Sequence, residues 1–189
     1  MVNIVLMDDQ LQELREILRK KSLAVGDFVL SSGKKSSYYL DCRTTTLDPK
    51  GALLIGRLIL AAIEKQGIQA DAIGGLTIGA DPIVTAVAVV SSLQGHPLPA
   101  FIVRKQAKGH GTQKNIEGYS GAAGSRVIIV DDVCTTGASI LTAAEKAEEA
   151  GYQVVAALCI VDREESGADI IREKYPFYSL LTAKDLLNV

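Results

Sequence analysis

Val127-Ile-Ile-Val130 sets four apolar β-formers in a row, and two carboxylates, Asp131 and Asp132, end the run abruptly. An unbroken apolar run suits a strand buried on both faces, as in a parallel sheet covered by helices on either side. Val133, Cys134, Thr135, Thr136, Gly137, Ala138 and Ser139 follow as a short turn rich in hydroxyls, and a helix is expected over Ala138 to Ala150, closed by Gly151. Strand, turn and helix N-terminus in that order make an anion site, because free backbone N–H groups and the helix dipole converge on the turn. Two aspartates beside it would repel a bare phosphate. The ligand should therefore join a phosphate to something that carboxylates seek, either sugar hydroxyls or a metal ion. A sugar phosphate meets both demands.

The rest of the chain alternates around that unit. Leu11, Leu14, Ile17 and Leu18 recur at helical spacing, which predicts a helix from Asp8 to Leu18. Phe28 to Leu30 and Tyr38 to Asp41 read as an antiparallel strand pair joined by the turn-prone Ser31 to Ser37. Pro49 to Gln66 reads as a helix, with proline in its first turn and Gly67 past its end. Strands at Asp71 to Leu76, Ala100 to Val103, Val127 to Val130 and Val154 to Val161 then enclose a helix at Pro82 to Leu93 and the one at Ala138. Such β-α-β repetition predicts an α/β fold, a mostly parallel twisted sheet flanked by helices. We expect one domain over 1–189, with a small N-terminal hood at about 1–45 and a core at about 68–163; too little chain follows residue 165 for a second domain. Ligands of such sheets sit at the carboxyl ends of the strands. Four polar clusters follow strands here: Thr77 to Asp81, Arg104-Lys105, Asp131-Asp132 and Asp162-Arg163. Together they predict one composite site.

Bulk properties exclude several classes. A net charge of −2 and a pI near 5.7 argue against nucleic acid as a partner. Cys42, Cys134 and Cys159 show no C-x-x-C spacing and read as reduced thiols, outside any zinc or disulfide framework. No window approaches the roughly 20 apolar residues of a membrane span. Met1 to Met7 lacks the basic and apolar regions of a signal peptide, so a cytoplasmic protein is expected.

Neither a Walker A loop nor a dinucleotide fingerprint occurs. Between Arg104 and Gly118, the cations Arg104, Lys105, Lys108, His110 and Lys114 face one acid, Glu117. A loop this long in a compact domain is either a solvated hairpin or a lid, and its charge and glycines suit a lid over a polyanion. In Thr77-Ile78-Gly79-Ala80-Asp81-Pro82, Asp81 is placed to cap the following helix with Pro82 at its first position. That leaves the crowding of Gly74, Gly75 and Gly79 unexplained. Asp162-Arg163 fits an ion pair or a ligand-reading arginine, and His96 reads as structural.

The Val127 to Ile140 stretch resembles the ribose-phosphate loop of the type I phosphoribosyltransferases. That resemblance implies that Asp131 and Asp132 hold the ribose hydroxyls while Val133 to Ser139 wrap the 5′-phosphate. The Arg104-Lys105-x-x-Lys108-x-His110-Gly111 run resembles the catalytic loop of the orotate phosphoribosyltransferases. Phe28 to Tyr39 is similar to their base-covering strand pair, with Ser31 and Ser37 departing from the usual residues. Membership would imply transfer of phosphoribosyl from 5-phosphoribosyl 1-diphosphate (PRPP) to orotate, with Mg²⁺ bound mainly through PRPP rather than by protein ligands. Lys105, Lys108, His110, Asp131 and Asp132 would be catalytic, with Arg104 also on PRPP. The diphosphate would lie on Thr77, Ile78, Gly79, Ala80 and Asp81, although many orotate enzymes carry a base at Gly79. Arg163 and Thr135 would read orotate. A homodimer sharing its lids across subunits is also implied. A purine phosphoribosyltransferase would share only the first motif, and a nucleotide- and RNA-binding regulator on this fold would not need the lid.

Overall fold

The computed structural model describes residues 4–29, 35–105 and 115–187. Helix α1 (Ile4–Lys21) leads, with Leu14 and Leu18 fully buried. Strands β1 (Leu23–Val29) and β2 (Lys35–Leu40) pair antiparallel as a separate two-stranded sheet, the expected hood. A short helix α2 (Arg43–Thr46) precedes α3 (Pro49–Lys65), whose cap Asp48 accepts the N–H groups of Lys50 and Gly51. Then come β3 (Ala72–Leu76), α4 (Asp81–Leu93), β4 (Ala100–Val103) and β5 (Ile116–Gly118). The chain continues through β6 (Arg126–Cys134), α5 (Ala138–Glu149), β7 (Gln153–Asp162), α6 (Gly167–Arg172), β8 (Phe177–Thr182) and α7 (Ala183–Leu187).

The main sheet runs β5-β4-β3-β6-β7-β8, with every pairing parallel except that of β4 with β5. Alternation along the strands sorts the core into two layers. Ile128, Val130, Leu158 and Ile160 pack with Leu54, Ile59, Ile83 and Val87 of α3 and α4. Val127, Ile129, Ala157 and Cys159 pack with Ile140, Ala143 and Ala147 of α5. Helices therefore cover both faces, which is why the central strands read as continuous apolar runs. From β3 the chain passes outward to β4 and then returns to place β6 on the other flank. That reversal opens a crevice beyond the carboxyl ends of β3 and β6, the usual ligand position in doubly wound sheets.

Several sequence-based expectations need correction. The third core strand does not stop at Val130. It runs to Cys134, because Asp131 pairs with Cys159 and Cys134 with Asp162 in the ladder to β7. The acid pair therefore stands on a paired strand rather than on a loop. The long polar segment closes at its base into the β4–β5 hairpin, and its residues 106–114 lie outside the described residues. The sheet also gains β8 beyond residue 163, and α1 begins at Ile4 rather than Asp8. Asp81 is no cap: Ala80 holds that position, and Asp81 Oδ2 instead accepts the Thr77 hydroxyl at 2.8 Å.

Candidate functional site

All four polar clusters contribute to one cavity of about 700 Å³ at the carboxyl ends of the strands, the Asp131-Asp132 pair whole and the other three in part. From β6 come Asp131 and Asp132, from its turn Thr135, Thr136 and Ser139, and from β7 Arg163. Thr77, Ile78 and Gly79 form the opposite wall, Lys105 stands at the hairpin base, and Asp41 and Arg43 enter from the end of β2.

The turn after β6 is built for an anion. Gly137 sits at the N-cap of α5 with φ +76°, and no side chain caps the helix. Of the first helical N–H groups only that of Ala138 meets a side chain, the Thr136 hydroxyl at a long 3.5 Å, and the turn lines a smaller cavity of about 110 Å³ with Asp131 and Val133 to Ile140. Gly137 supplies the left-handed conformation without a Cβ penalty. Gly167 buttresses the turn from behind: a Cβ there would stand 2.5 Å from the Thr135 carbonyl oxygen and 2.7 Å from the Gly137 nitrogen. Sequence reading missed Gly167, since nothing local separates it from any other helix-start glycine. Cys134 also lines the smaller cavity, and its thiol is hydrogen-bonded to the Gly137 backbone. Its side chain is buried in the α5 layer, and burial pushes its thiol up to about 12, so it is no nucleophile at neutral pH.

Asp131 and Asp132 are held close together. The Asp132 N–H donates to Asp131 Oδ1 at 3.0 Å and the Val133 N–H to Asp132 Oδ1 at 2.9 Å. Burial raises both carboxyls, and for Asp131 the charge of Asp132 raises it further. For Asp132 backbone hydrogen bonding, Asp131 and the Arg43 charge oppose the rise. The pair is thus poised to gain from a ligand that brings hydroxyl donors or a cation. Among the described residues no cluster of three or more His, Cys, Asp or Glu side chains could hold a metal by itself.

The glycine crowding now divides by cause. A Cβ on Gly74 would strike the Phe101 ring at 2.3 Å, and one on Gly75 the Val130 carbonyl at 2.1 Å. Those two serve packing between strands. At Gly79 the Cβ would meet Asp131 Oδ1 at 2.6 Å and Asp132 Oδ1 at 3.0 Å, so this glycine lets the two site loops touch.

Arg163 is held on three sides. Its Nε donates to Glu165 Oε1 at 2.8 Å, Nη2 donates to Ser36 Oγ at 3.3 Å, and the guanidinium lies 4.3 Å from the Tyr38 ring centroid. The hood thereby closes onto the end of β7. Arg104 pairs with Glu117 across the hairpin base at 3.4 Å and does not line the cavity, while Lys105 does. Lys146 of α5 donates to the Arg104 and Lys105 carbonyls at 2.7 and 2.9 Å, anchoring that base. Lys108 and His110 lie outside the described residues. Ala80 is buried and Asp81 lines a different groove, so of the Thr77 loop only Thr77, Ile78 and Gly79 reach the cavity. Asp41 and Arg43 were not anticipated, because the fold brings them to the site from a stretch without a motif, and Glu165 was not because only the local turn shows that it pairs with Arg163.

Residues 44–183 match the phosphoribosyl transferase domain family. Orotate phosphoribosyltransferase of Thermosynechococcus vestitus is 46% identical over 185 residues, 95% of this chain and 96% of that protein. The crystal structure of orotate phosphoribosyltransferase from Mycobacterium tuberculosis H37Rv superposes with a TM-score of 0.83 at 40% identity, covering 94% of this chain and 99% of that one. A second structure of the same enzyme, in complex with PRPP, gives 0.77 at 38% identity over 94% and 98%.

Proposed function

The chain belongs to the orotate phosphoribosyltransferases of the phosphoribosyl transferase family, and on that premise we propose how its residues divide the two substrates between them. The reaction transfers the phosphoribosyl group of PRPP to orotate, giving orotidine 5′-monophosphate and diphosphate, in pyrimidine synthesis. Asp131 and Asp132 hold the ribose hydroxyls and Val133 to Ser139 the 5′-phosphate. Thr77 to Asp81 receive the diphosphate, with Thr77 to Gly79 at the cavity wall. Arg163 and Thr135 read the base. Arg104, Lys105, Lys108 and His110 act on PRPP from the hairpin, with Lys105 already at the cavity wall.

One observation carries this reading: the acid pair and Gly79 meet at the reversal of strand order, directly beside an uncapped helix N-terminus. Carboxylates there suit sugar hydroxyls, and the turn beside them suits a phosphate. Displacement at the anomeric carbon builds positive charge on the ribose and negative charge on the departing diphosphate. Catalysis is then positional and electrostatic and requires no covalent protein nucleophile. A planar guanidinium suits the carbonyl and carboxylate oxygens of orotate because it donates paired hydrogen bonds.

Mg²⁺ fits this donor set as a companion of the substrate. Two hard carboxylates beside a phosphate-sized cavity match its taste for oxygen, and it commonly keeps waters and phosphate oxygens as its other ligands. When bound it would neutralise charge on the diphosphate.

The protein acts as a cytoplasmic homodimer in this reading. Leu47, Ile78, Val89 and Leu93 are 72%, 62%, 55% and 80% exposed, yet all line one apolar groove of about 640 Å³ beside Arg43 and the Thr77 loop. A second copy seated there would cover them and bring its own hairpin near this site.

Orotate absorbance should fall with PRPP and Mg²⁺ present, while adenine, guanine and uracil should not react. Asp132→Asn should cut the rate by about 10²–10³-fold with an unchanged melting temperature, the scale of losing one well-placed electrostatic group. Wild-type turnover in that variant would refute the ribose assignment.

A further inference from the structure

Arg43 belongs to none of the recognised motifs, yet it lines the main cavity with Thr77, Gly79 and the acid pair, lines the neighbouring groove with Ile78 and Asp81, and acts electrostatically on Asp132. Asp41 grips it in the plane: Nε donates to Oδ1 at 2.8 Å and Nη2 to Oδ2 at 2.9 Å, and the Arg43 backbone N–H donates to Oδ1 at 3.0 Å. A guanidinium has five N–H donors, so this grip fixes its plane while leaving about three of them for another acceptor. The side chain stays 47% exposed despite the grip.

The charge balance around the cavity shows what that acceptor should be. Its described lining holds four acids, Asp41, Asp131, Asp132 and Glu165, against three cations, Arg43, Lys105 and Arg163. Arg163 is already engaged by Glu165, Ser36 and the Tyr38 ring. Lys105 stands on the hairpin side. Arg43 is thus the cation among the described residues that lines both this cavity and the groove shared with Ile78 and Asp81 of the Thr77 loop, and Gly79 brings no side chain of its own. An anion resting against the Thr77 loop finds its nearest uncommitted fixed charge of this kind in Arg43.

We propose that Arg43, oriented by Asp41, binds the diphosphate of PRPP and retains it as it departs from the ribose. This rests on the division of substrates given above and adds to it a group outside the Thr77 loop. Arg43 touches the leaving diphosphate, and Asp41 is its positioning residue. The guanidinium also opposes the rise of the Asp132 carboxyl, after burial and nearer hydrogen bonds. A purely structural Arg43 would serve only that second purpose.

Calorimetric titration with diphosphate plus Mg²⁺, and separately with ribose 5-phosphate, distinguishes the two roles. Arg43→Gln should weaken diphosphate binding by about 10–100-fold, the scale of one charge-assisted hydrogen-bonding group, while ribose 5-phosphate binds within about twofold of wild type. The KM for PRPP should rise and that for orotate stay level. Asp41→Asn should give a smaller loss of the same kind, since the guanidinium remains but is no longer held. Unchanged diphosphate affinity in Arg43→Gln overturns the proposal, and so does an equal loss for both ligands. If Arg43→Gln does not fold, Arg43→Lys replaces it: a loss confined to diphosphate supports the role, and none overturns it. Failure of wild-type protein to bind ribose 5-phosphate would instead count against the ribose-phosphate assignment.

Discussion

Gly79 packs so tightly against Asp131 that a Cβ built on it would lie 2.6 Å from the carboxylate Oδ1. Gly79→Ala should therefore push the buried acid pair away from its proposed place on the ribose. A displacement of this kind costs about 10²-fold in rate when the group positions substrate. We expect kcat/KM to fall by about that factor while the melting temperature moves little. A fully active Gly79→Ala would show that the carboxylates need not stay where they are.

Gly74→Ala should behave in the opposite way. Its Cβ would press into the Phe101 ring inside the α5 layer, and overpacking of a filled core costs about 1–3 kcal/mol. Denaturant midpoints should drop accordingly, while the folded fraction keeps its KM for both substrates. A wild-type midpoint would contradict the packing reason for this glycine.

The Asp131 carboxyl is raised from its ordinary 3.8, by burial first and then by the charge of Asp132. A folded chain that keeps a proton the unfolded chain releases is stabilised below about pH 4 and loses that advantage as pH rises through the native value. Asp131→Asn removes this dependence. Between about pH 5 and about pH 8 the variant should lose less melting temperature than wild type, with its activity gone. Parallel pH profiles for the two proteins would rule out the buried, proton-holding carboxyl.

Arg163 over Tyr38 links the hood to the sheet. Arg163→Lys keeps the charge but loses the planar fork, so the KM for orotate should rise about tenfold with the KM for PRPP unchanged. Tyr38→Leu removes a stacking contact of about 0.5–2 kcal/mol, and in a double-mutant cycle its effect should vanish once Arg163 is replaced. Additive effects on orotate binding would mean the two residues act separately.

Lid sharing between subunits predicts complementation. Lys105→Ala and Asp132→Asn proteins, each nearly inactive, should regain activity on mixing, because a mixed dimer then holds one sound site. Verified subunit exchange with no recovered activity would place each lid over its own subunit.

Sequence made the sheet legible where apolar runs are buried on both faces, and β4 fell on Ala100 to Val103 as expected. It misled where polar residues stay in a strand: Asp131 and Asp132 look like a strand end, but the ladder to β7 carries them on to Cys134. β5 has three residues and left no periodic signal, while Phe177 to Thr182 had β-formers enough to be read. Motif-bearing site residues were visible because chemistry is concentrated in consecutive positions. Arg43 and Gly167 were not, since only the chain crossings bring them beside Asp132 and Thr135, and Glu165 was not because its pairing with nearby Arg163 depends on the local turn after β7.

Helix α5 begins at the turn that lines the smaller cavity, and its Lys146 grips the carbonyls at the root of the β4–β5 hairpin. Lys146 lies nine positions beyond Gly137, about 14 Å at the helical rise. That helix works as a ruler. The spacing between the turn after β6 and the hairpin root is set by a rod of fixed length rather than by loop conformation. An inserted residue anywhere along α5 would throw the two out of register by about 100°, even though neither end of the site had been altered.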